Sequence, residues 1–358
     1  KNFGHRRAGA HRVLPEQVAE SPEQVLPHAP GLRSRAFLQP IFVGSLSVLT
    51  VRVFVRWFIY AFCAALSLPG CRAELKDAAH SPLARIRLPS GSYVMTHGNR
   101  RRRYHVHLPK AREHEVKLPL VLALHGAPGH GANMMEFSGV RELADRKGFI
   151  AVFPDGTSAQ DPVFLNWNSG TCCGYARDNN IDDVGFLRRL IELLLAEYEA
   201  DSGRVYVTGF SKGGMMAYYF ACQHTNLLAG IAVVAGAFNL SECHPARALD
   251  VLIVHGRADA AIPYGGELPR KIPPLRETED RPVSYATHFW RKVNHCHRAA
   301  SSSAGTVEVT DYHCFRAPLR LISLSDEGHT WPGAADGLIG AEKPRGQFLV
   351  GEAIWSFW

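Results

Sequence analysis

The sequence predicts an α/β protein whose mainly parallel sheet is covered by helices on both faces. Short, continuous apolar runs, which are typical of strands buried on both faces, alternate with helix-compatible segments through most of the chain. Two short runs, residues 92–96 and 104–108, precede them and predict an antiparallel pair around a turn at 99–103. Functional groups in such sheets gather where the parallel strands end.

The elements follow one another in a regular order. Buried strands are expected at 120–124, 149–153, 205–208, 231–235 and 251–255, and further strands at 307–313 and 319–324. Helices are expected at 135–147, from Asp182-Asp183 to about Glu199, after Ser211, at 283–293 and at 348–358. A long loop, 157–180, separates the second and third strands of the parallel series and contains Trp167 and Cys172-Cys173.

The charge pattern argues against a nucleic-acid partner. The formal net charge is +7, but much of the basic excess lies near the N-terminus. No alternation of basic and aromatic residues suggests a nucleic-acid groove. The one basic run inside the body, Arg100 to Arg103, is expected to form a solvated turn and strand edge.

The first seventy residues differ in character from the rest. Residues 1–50 are predicted to be disordered or foreign to the natural protein, and residues 51–73 to be a signal peptide. Residues 68–71 also loosely resemble a lipoprotein signal, so a lipid anchor on Cys71 is one alternative, and a retained membrane helix is another. We therefore expect a secreted or periplasmic protein with one catalytic domain at 85–358, whose only membrane contact would be through an N-terminal anchor.

The sequence Gly209-Phe210-Ser211-Lys212-Gly213 is predicted to hold a nucleophile. The G-x-S-x-G spacing lies between a β-branched strand and a helix-compatible run, as in a nucleophile elbow. Ser211 would then stand at the N-terminus of a helix, where amides stabilise a developing negative charge. The simpler alternative is an ordinary strand-to-helix turn with an exposed serine.

A serine nucleophile needs a base that a carboxylate orients. When the order along the chain is serine, acid, histidine, the candidates lie downstream. Asp259 follows the strand at 251–255, and His329 follows the strand at 319–324. Asp326 is a weaker candidate for the acid. The histidines show no metal-binding spacing, so neither a metal nor a cofactor is expected.

The tetrahedral oxyanion needs hydrogen-bond donors. The residue after the nucleophile, Lys212, supplies one backbone amide in an elbow of this kind. The second donor is expected in the loop after the first parallel strand, His125-Gly126-Ala127-Pro128. Proline has no amide hydrogen, which favours Ala127.

Taken together, these motifs resemble the polyhydroxybutyrate depolymerase and feruloyl esterase group of secreted α/β-hydrolases. The resemblance rests on segments that occur in order over about 85–358, at 121–129, 153–156, 182–186, 209–217, 255–259 and 328–333. It implies the α/β-hydrolase fold, with Ser211 as nucleophile, Asp259 as acid and His329 as base. The chain departs from the group at Lys212, where asparagine is frequent, and at Ala127-Pro128, where Cys-Gly or Gly-Gly is more usual.

The resemblance also implies roles outside the triad. It suggests that Trp167 and Trp331 lie near the substrate pocket, although core or lid packing explains each equally well. It further suggests that Cys296 pairs with Cys314.

Six cysteines lie beyond residue 73, an even number that suits an exported protein with disulfides. The pairing of Cys172, Cys173, Cys222 and Cys243 stays open. A bridge between adjacent residues is disfavoured by strain. Cys222 is a candidate to tie the Trp167 loop to the helix after Ser211.

The sequence therefore favours a serine esterase that acts through an acyl-enzyme and without a cofactor. The resemblance implies as substrates polyhydroxybutyrate-type oligomers, or feruloyl and acetyl esters of polysaccharide. Two alternatives remain: a serine peptidase of the same fold, and a non-catalytic exported binding protein that keeps the fold.

Overall fold

The computed structural model describes residues 89–110, 116–160, 162–266, 280–334 and 341–358. Contacts divide the chain into two units at Ser81 and Pro82, and every described residue belongs to the second. The segments predicted at 1–50 and 51–73, with Cys71, lie outside the described residues. In the part that is described, no helix is long and apolar enough to cross a membrane.

One mixed sheet forms the frame of the described domain. Its strands are ordered β1-β2-β4-β3-β5-β6-β7-β10-β9-β8, and the six from β4 to β10 run parallel. Antiparallel pairs flank this parallel block at both edges, so the predicted fold class and the two N-terminal antiparallel strands are confirmed. The strands are β1 Gly91–His97, β2 Arg100–His107, β3 Leu120–Leu124, β4 Ile150–Pro154, β5 Val205–Phe210, β6 Gly230–Val234, β7 Asp250–Gly256, β8 Cys296–Ala304, β9 Val307–Cys314 and β10 Leu319–Leu324.

Helices cover both faces of the sheet and bury two apolar clusters. Residues of α4, α5 and α6, such as Leu190, Phe220 and Trp290, pack on one face. Residues of α1, α2 and α7, such as Leu143 and Ile354, pack on the other. The helices are α1 Gly131–Phe137, α2 Val140–Lys147, α3 Gly174–Asp178, α4 Asp183–Tyr198, α5 Lys212–His224, α6 Val283–Val293 and α7 Val350–Phe357.

Four elements differ from the sequence prediction. Helix α3 lies inside the segment 157–180 that was expected to be a loop, and β2 begins at Arg100, inside the turn expected at 99–103. The helix expected at 135–147 is two helices, because Gly139 adopts a left-handed φ of 69° between them. Strand β8 was missed because nearly all of its side chains are exposed, so its sequence has no apolar alternation.

The expectation that Arg100 to Arg103 is wholly solvated is wrong for Arg102. Strand β2 begins at Arg100, and its alternation turns Arg102 inward, where only 2% of the residue is exposed. Its guanidinium donates to Asp183 and to the carbonyl of Asp155 and lies over the ring of Phe186. Arg102 thus ties β2 to the start of α4 through a buried ion pair.

Candidate active site

The turn between β5 and α5 projects Ser211 from the carboxyl end of a central strand. Ser211 has φ 55° and ψ −120°, a conformation that non-glycine residues rarely adopt. Its amide donates to the carbonyl of Val234 at 2.9 Å. A Cβ on Gly209 would lie 2.3 Å from the carbonyl oxygen of Gly213, and one on Gly213 would lie 2.4 Å from that of Leu124. The sharp turn therefore requires both glycines.

Ser211, His329 and Asp259 form a continuous hydrogen-bonded chain. His329 Nε2 lies 2.9 Å from Ser211 Oγ, and His329 Nδ1 lies 2.8 Å from Asp259 Oδ2. A carboxylate accepts only, so Nδ1 carries the ring proton and Nε2 is left to accept from the serine hydroxyl. Each residue is 4% exposed. The loops after β5, β7 and β10 bring the three side chains together at one edge of the sheet.

The surroundings of Asp259 keep it ionised. Burial alone would raise the pKa of Asp259, but its interaction with His329 and hydrogen bonds from His255 and His329 outweigh burial and hold the pKa well below its usual range. Its other oxygen, Oδ1, accepts from the amides of Ala261 at 2.9 Å and Ile262 at 2.8 Å. The carboxylate is thus fixed as an anion aimed at His329.

His255, which sequence reasoning did not assign to the site, also lies against the acid. Its Nε2 is 3.3 Å from Asp259 Oδ2 and 2.8 Å from the carbonyl oxygen of Ile262. The residue is 2% exposed. The sequence could have indicated this contact, because His255 lies at the end of β7, four residues before Asp259.

The loop of residues 125–129 packs directly against the nucleophile. A Cβ on Gly126 would lie 3.3 Å from Ser211 Cβ, so the backbone there is next to the serine. His125 is fully buried, and its Nε2 accepts from the amide of Gly156 at 2.9 Å. Its Nδ1–H therefore donates to the carbonyl of Gly126 at 2.7 Å. Burial lowers the pKa of His125 to about 4, so the ring is neutral near pH 7.

The structure places Trp167 and Trp331 in the core rather than on a substrate-accessible wall. Trp167 is 0% exposed and donates from Nε1 to the carbonyl of His125 at 3.0 Å. Trp331 is 1% exposed and donates to the carbonyl of Ser138 at 3.0 Å. Both indole rings therefore pack in the core, and each N–H donates to a backbone carbonyl. Trp167 thus holds the 125–129 loop through its hydrogen bond to the carbonyl of His125.

Three disulfides occur in the described residues. Cys296 pairs with Cys314, as the resemblance implied, across β8 and β9. Cys222 pairs with Cys243, where the Cα atoms are 5.0 Å apart, so the expected tie from Cys222 to the Trp167 loop is wrong. Cys172 pairs with its neighbour Cys173 across a cis peptide bond, with Cα atoms 3.1 Å apart. The expectation that the adjacent cysteines do not pair is therefore wrong.

The adjacent pair belongs to a small apolar cluster beside the triad. Cys172 and Cys173 pack with Met215, Ala237 and Ile262. Met215 lies one turn after Ser211 on α5, and Ile262 is held by Asp259. Among the described residues, no group of three or more His, Cys, Asp or Glu side chains could hold a metal ion.

Comparison with known proteins gives results from sequence and from structure. The sequence model of the family described as "Esterase PHB depolymerase" matches residues 102–264. The chain is 30% identical over 253 residues to "Putative esterase NocK" of Nocardia uniformis subsp. tsuyamanensis, covering 65% of this chain and 72% of that protein. It is also 30% identical over 203 residues to "Feruloyl esterase B" of Piromyces equi, covering 53% of this chain but only 35% of the relative.

Among solved structures, the one described as "sOPH Native" has a TM-score of 0.50 and is 14% identical. The match covers 69% of this chain and 83% of that structure. At this level of identity the likeness concerns the fold alone.

Proposed function

Because this chain belongs to the esterase PHB depolymerase family and is a carboxylic-ester hydrolase, we propose that it cleaves its substrate through an acyl-enzyme on Ser211. The observation that carries the proposal is the buried chain of hydrogen bonds from Ser211 through His329 to Asp259. Nucleophile, base and orienting acid are each within hydrogen-bond reach of the next, the geometry that serine catalysis needs.

In the first half-reaction, Ser211 Oγ attacks the ester carbonyl while His329 Nε2 takes the hydroxyl proton. The resulting imidazolium is stabilised by Asp259, whose lowered pKa keeps it charged. The backbone amides of Ala127 and Lys212 donate to the tetrahedral oxyanion. Collapse of this intermediate breaks the bond to the alcohol oxygen, which leaves with the proton from His329.

In the second half-reaction, water attacks the acyl-enzyme. His329 takes a proton from the water, a second tetrahedral intermediate forms, and Ser211 leaves with that proton as the free acid is released. His125 and Trp167 hold the 125–129 loop against Ser211 in both steps, because their hydrogen bonds fix its backbone. Oxyanion donors act through such preorganisation.

The substrates we propose are feruloyl or acetyl esters of polysaccharide, and oligomers of the polyhydroxybutyrate type. The family description and the names of relatives support these classes. We also propose that the protein is exported, a view supported by its three disulfides, since such bonds persist in oxidising compartments.

The test is hydrolysis of p-nitrophenyl acetate, p-nitrophenyl butyrate and methyl ferulate by the full chain, together with labelling by a fluorophosphonate probe. Ser211→Ala and His329→Ala should abolish both turnover and labelling. Ser301→Ala and His313→Ala are matched controls on the exposed β8–β9 pair and should behave as wild type.

The outcomes separate three activities. Ester turnover and labelling that depend on Ser211 and His329 support the proposal, and the ranking of the esters identifies the acyl group. Amide hydrolysis at a comparable rate would favour a serine peptidase. A folded wild type that neither turns over ester nor reacts with the probe would favour a non-catalytic binding protein.

A further inference from the structure

A basic cavity of about 300 Å³ lies beyond the carboxyl end of β4. Its walls are three arginines of β2, Arg100, Arg101 and Arg103, and the backbone and side chains of residues 155–158. The antiparallel pairing of β2 with β4 carries these arginines past the end of β4, because Tyr104 already lies opposite Pro154. The cavity therefore opens at the edge of the sheet that holds Ser211.

The lining of the cavity has an excess of positive charge. Three guanidinium groups face one carboxylate, Asp155, which lies 3.5 Å from Arg103 and accepts the amide of Gly131 at 2.6 Å. Arg100 donates to the neutral hydroxyl of Tyr175. Within the described residues, the exposed side chain of Arg101 makes no hydrogen bond or ion pair. Two of the three positive charges thus have no acidic partner in the lining.

A buried hydroxyl in the same wall has an unused hydrogen-bonding group. Thr157 is 9% exposed, and its Oγ1 has no hydrogen-bond partner in the part of the chain that the structure describes. Its backbone is fixed by a reciprocal pair of 2.9 Å hydrogen bonds with Asn166. Buried polar atoms usually have a partner, so an unpartnered hydroxyl beside three guanidinium groups is consistent with a site for an anion.

The cavity and the nucleophile are joined by a short structural path. Strands β4, β3 and β5 are neighbours, so the ends of β4 and β5 are two strand spacings apart, about 10 Å. Gly156, in the cavity wall, donates to His125, and Gly126 lies against Ser211. A substrate of a few residues is long enough to span this distance.

The geometry points to a subsite that binds a carboxylate on the alcohol side of the ester. This inference rests on the proposed function. Acetyl and feruloyl groups are uncharged, so a free carboxylate in either proposed substrate class belongs to the alcohol portion. It is the terminal acid of a hydroxyalkanoate oligomer or a uronic acid on a polysaccharide. Guanidinium groups bind carboxylates with paired hydrogen bonds, and the Thr157 hydroxyl supplies a further donor.

The experiment compares each substrate with its uncharged counterpart. Dimers, trimers and tetramers of 3-hydroxybutyrate are assayed as free acids and as methyl esters, and kcat/KM is taken from product analysis. Acetylated xylo-oligosaccharides with and without a glucuronic acid substituent form the second arm. The proteins are wild type, Arg101→Gln, Thr157→Val and the control Arg298→Gln. Arg298 is exposed on β8, the outermost strand on the side of the sheet away from β2.

We expect wild type to favour the charged member of at least one substrate pair by about tenfold, the factor that one charge-assisted hydrogen bond typically supplies. Arg101→Gln and Thr157→Val should reduce that ratio, and added salt should reduce it in wild type. Arg298→Gln should leave it unchanged. The arm that shows the preference identifies the source of the carboxylate.

Equal kcat/KM for charged and uncharged members in both arms, with the neutral esters hydrolysed, would overturn the subsite and leave the esterase proposal standing. The same holds if Arg298→Gln lowers the ratio as much as Arg101→Gln, because the effect would then be one of net charge. A chain that hydrolyses none of these esters, and not p-nitrophenyl acetate either, would overturn both proposals.

Discussion

Acidification from pH 7 to pH 4 should destabilise the protein through His125. The ring is fully buried, and the amide of Gly156 donates to its Nε2. A proton on Nε2 would face that N–H, and the cation would lie in an apolar interior. Burial is the main reason that the pKa of His125 falls to about 4, from 6.5 in the unfolded chain.

The sign and size of the effect follow from these two pKa values. Above pH 6.5 neither state binds the proton, so His125 does not change stability with pH. Between pH 6.5 and 4 the unfolded chain binds the proton and the native state does not, so stability falls as the pH falls. The difference of 2.5 pKa units corresponds to about 3 kcal/mol at pH 4.

His125→Gln isolates this contribution. Glutamine does not titrate, and its Oε1 can accept from Gly156 in place of Nε2. The variant should be less stable than wild type at pH 7.5 by about 1–2 kcal/mol, because the native geometry at Gly126 is disturbed. Below pH 6.5 the wild type loses stability that the variant keeps, so the two curves should converge and cross between about pH 5 and 6.

The assay is urea unfolding at intervals of half a pH unit from 4 to 7.5. His105 and His224, whose burial also lowers their pKa, titrate in both proteins and cancel in the comparison. His313→Gln, at an exposed site, should run parallel to wild type. If the curves of His125→Gln and wild type also run parallel across this range, His125 is not a buried neutral acceptor and the account of the 125–129 loop fails.

Three further results are expected. Asp259→Asn should lower kcat for p-nitrophenyl butyrate by about 10⁴, because an amide cannot stabilise the imidazolium; a loss below tenfold would contradict its role. Gly213→Ala should abolish activity and lower the melting temperature, since its methyl would lie 2.4 Å from a backbone oxygen, whereas Gly265→Ala, with open space around it, should do neither. Trp167→Phe should lower kcat about tenfold with KM nearly unchanged, because the carbonyl of His125 loses the hydrogen bond from the indole and the 125–129 loop is held less firmly. Trp331→Phe loses a hydrogen bond to Ser138 rather than to that loop, so it should lower kcat less than Trp167→Phe, and equal kcat losses in both variants would refute the distinction.

The fold and the three proposed catalytic residues were within reach of sequence reasoning because their signals are local. A strand buried on both faces must be a continuous apolar run, as β3 and β7 are. The elbow around Ser211 requires glycines at fixed spacing, and parallel strands place the residues that follow them at one edge. Asp259 and His329 could therefore be placed beside Ser211 from their positions after β7 and β10.

Residues whose state depends on distant neighbours could not be assigned in this way. Arg102 belongs to a basic run that looks solvated, and only Asp183, 81 residues away, makes its burial favourable. From sequence, the indole groups of Trp167 and Trp331 suited a substrate pocket and the core equally well, and only their backbone acceptors distinguish the two.

Sequence pattern alone predicts most of the strands and helices, the elbow and the serine, acid, histidine succession, because each depends on side-chain period or on spacing along the chain. The pairing of Cys172, Cys173, Cys222 and Cys243, the neutral state of the buried acceptor His125 and the convergence of the β2 arginines on one cavity become evident only in the tertiary structure. These features depend on long-range contacts, which set the burial, charge and hydrogen-bond partners of a side chain independently of its neighbours in sequence.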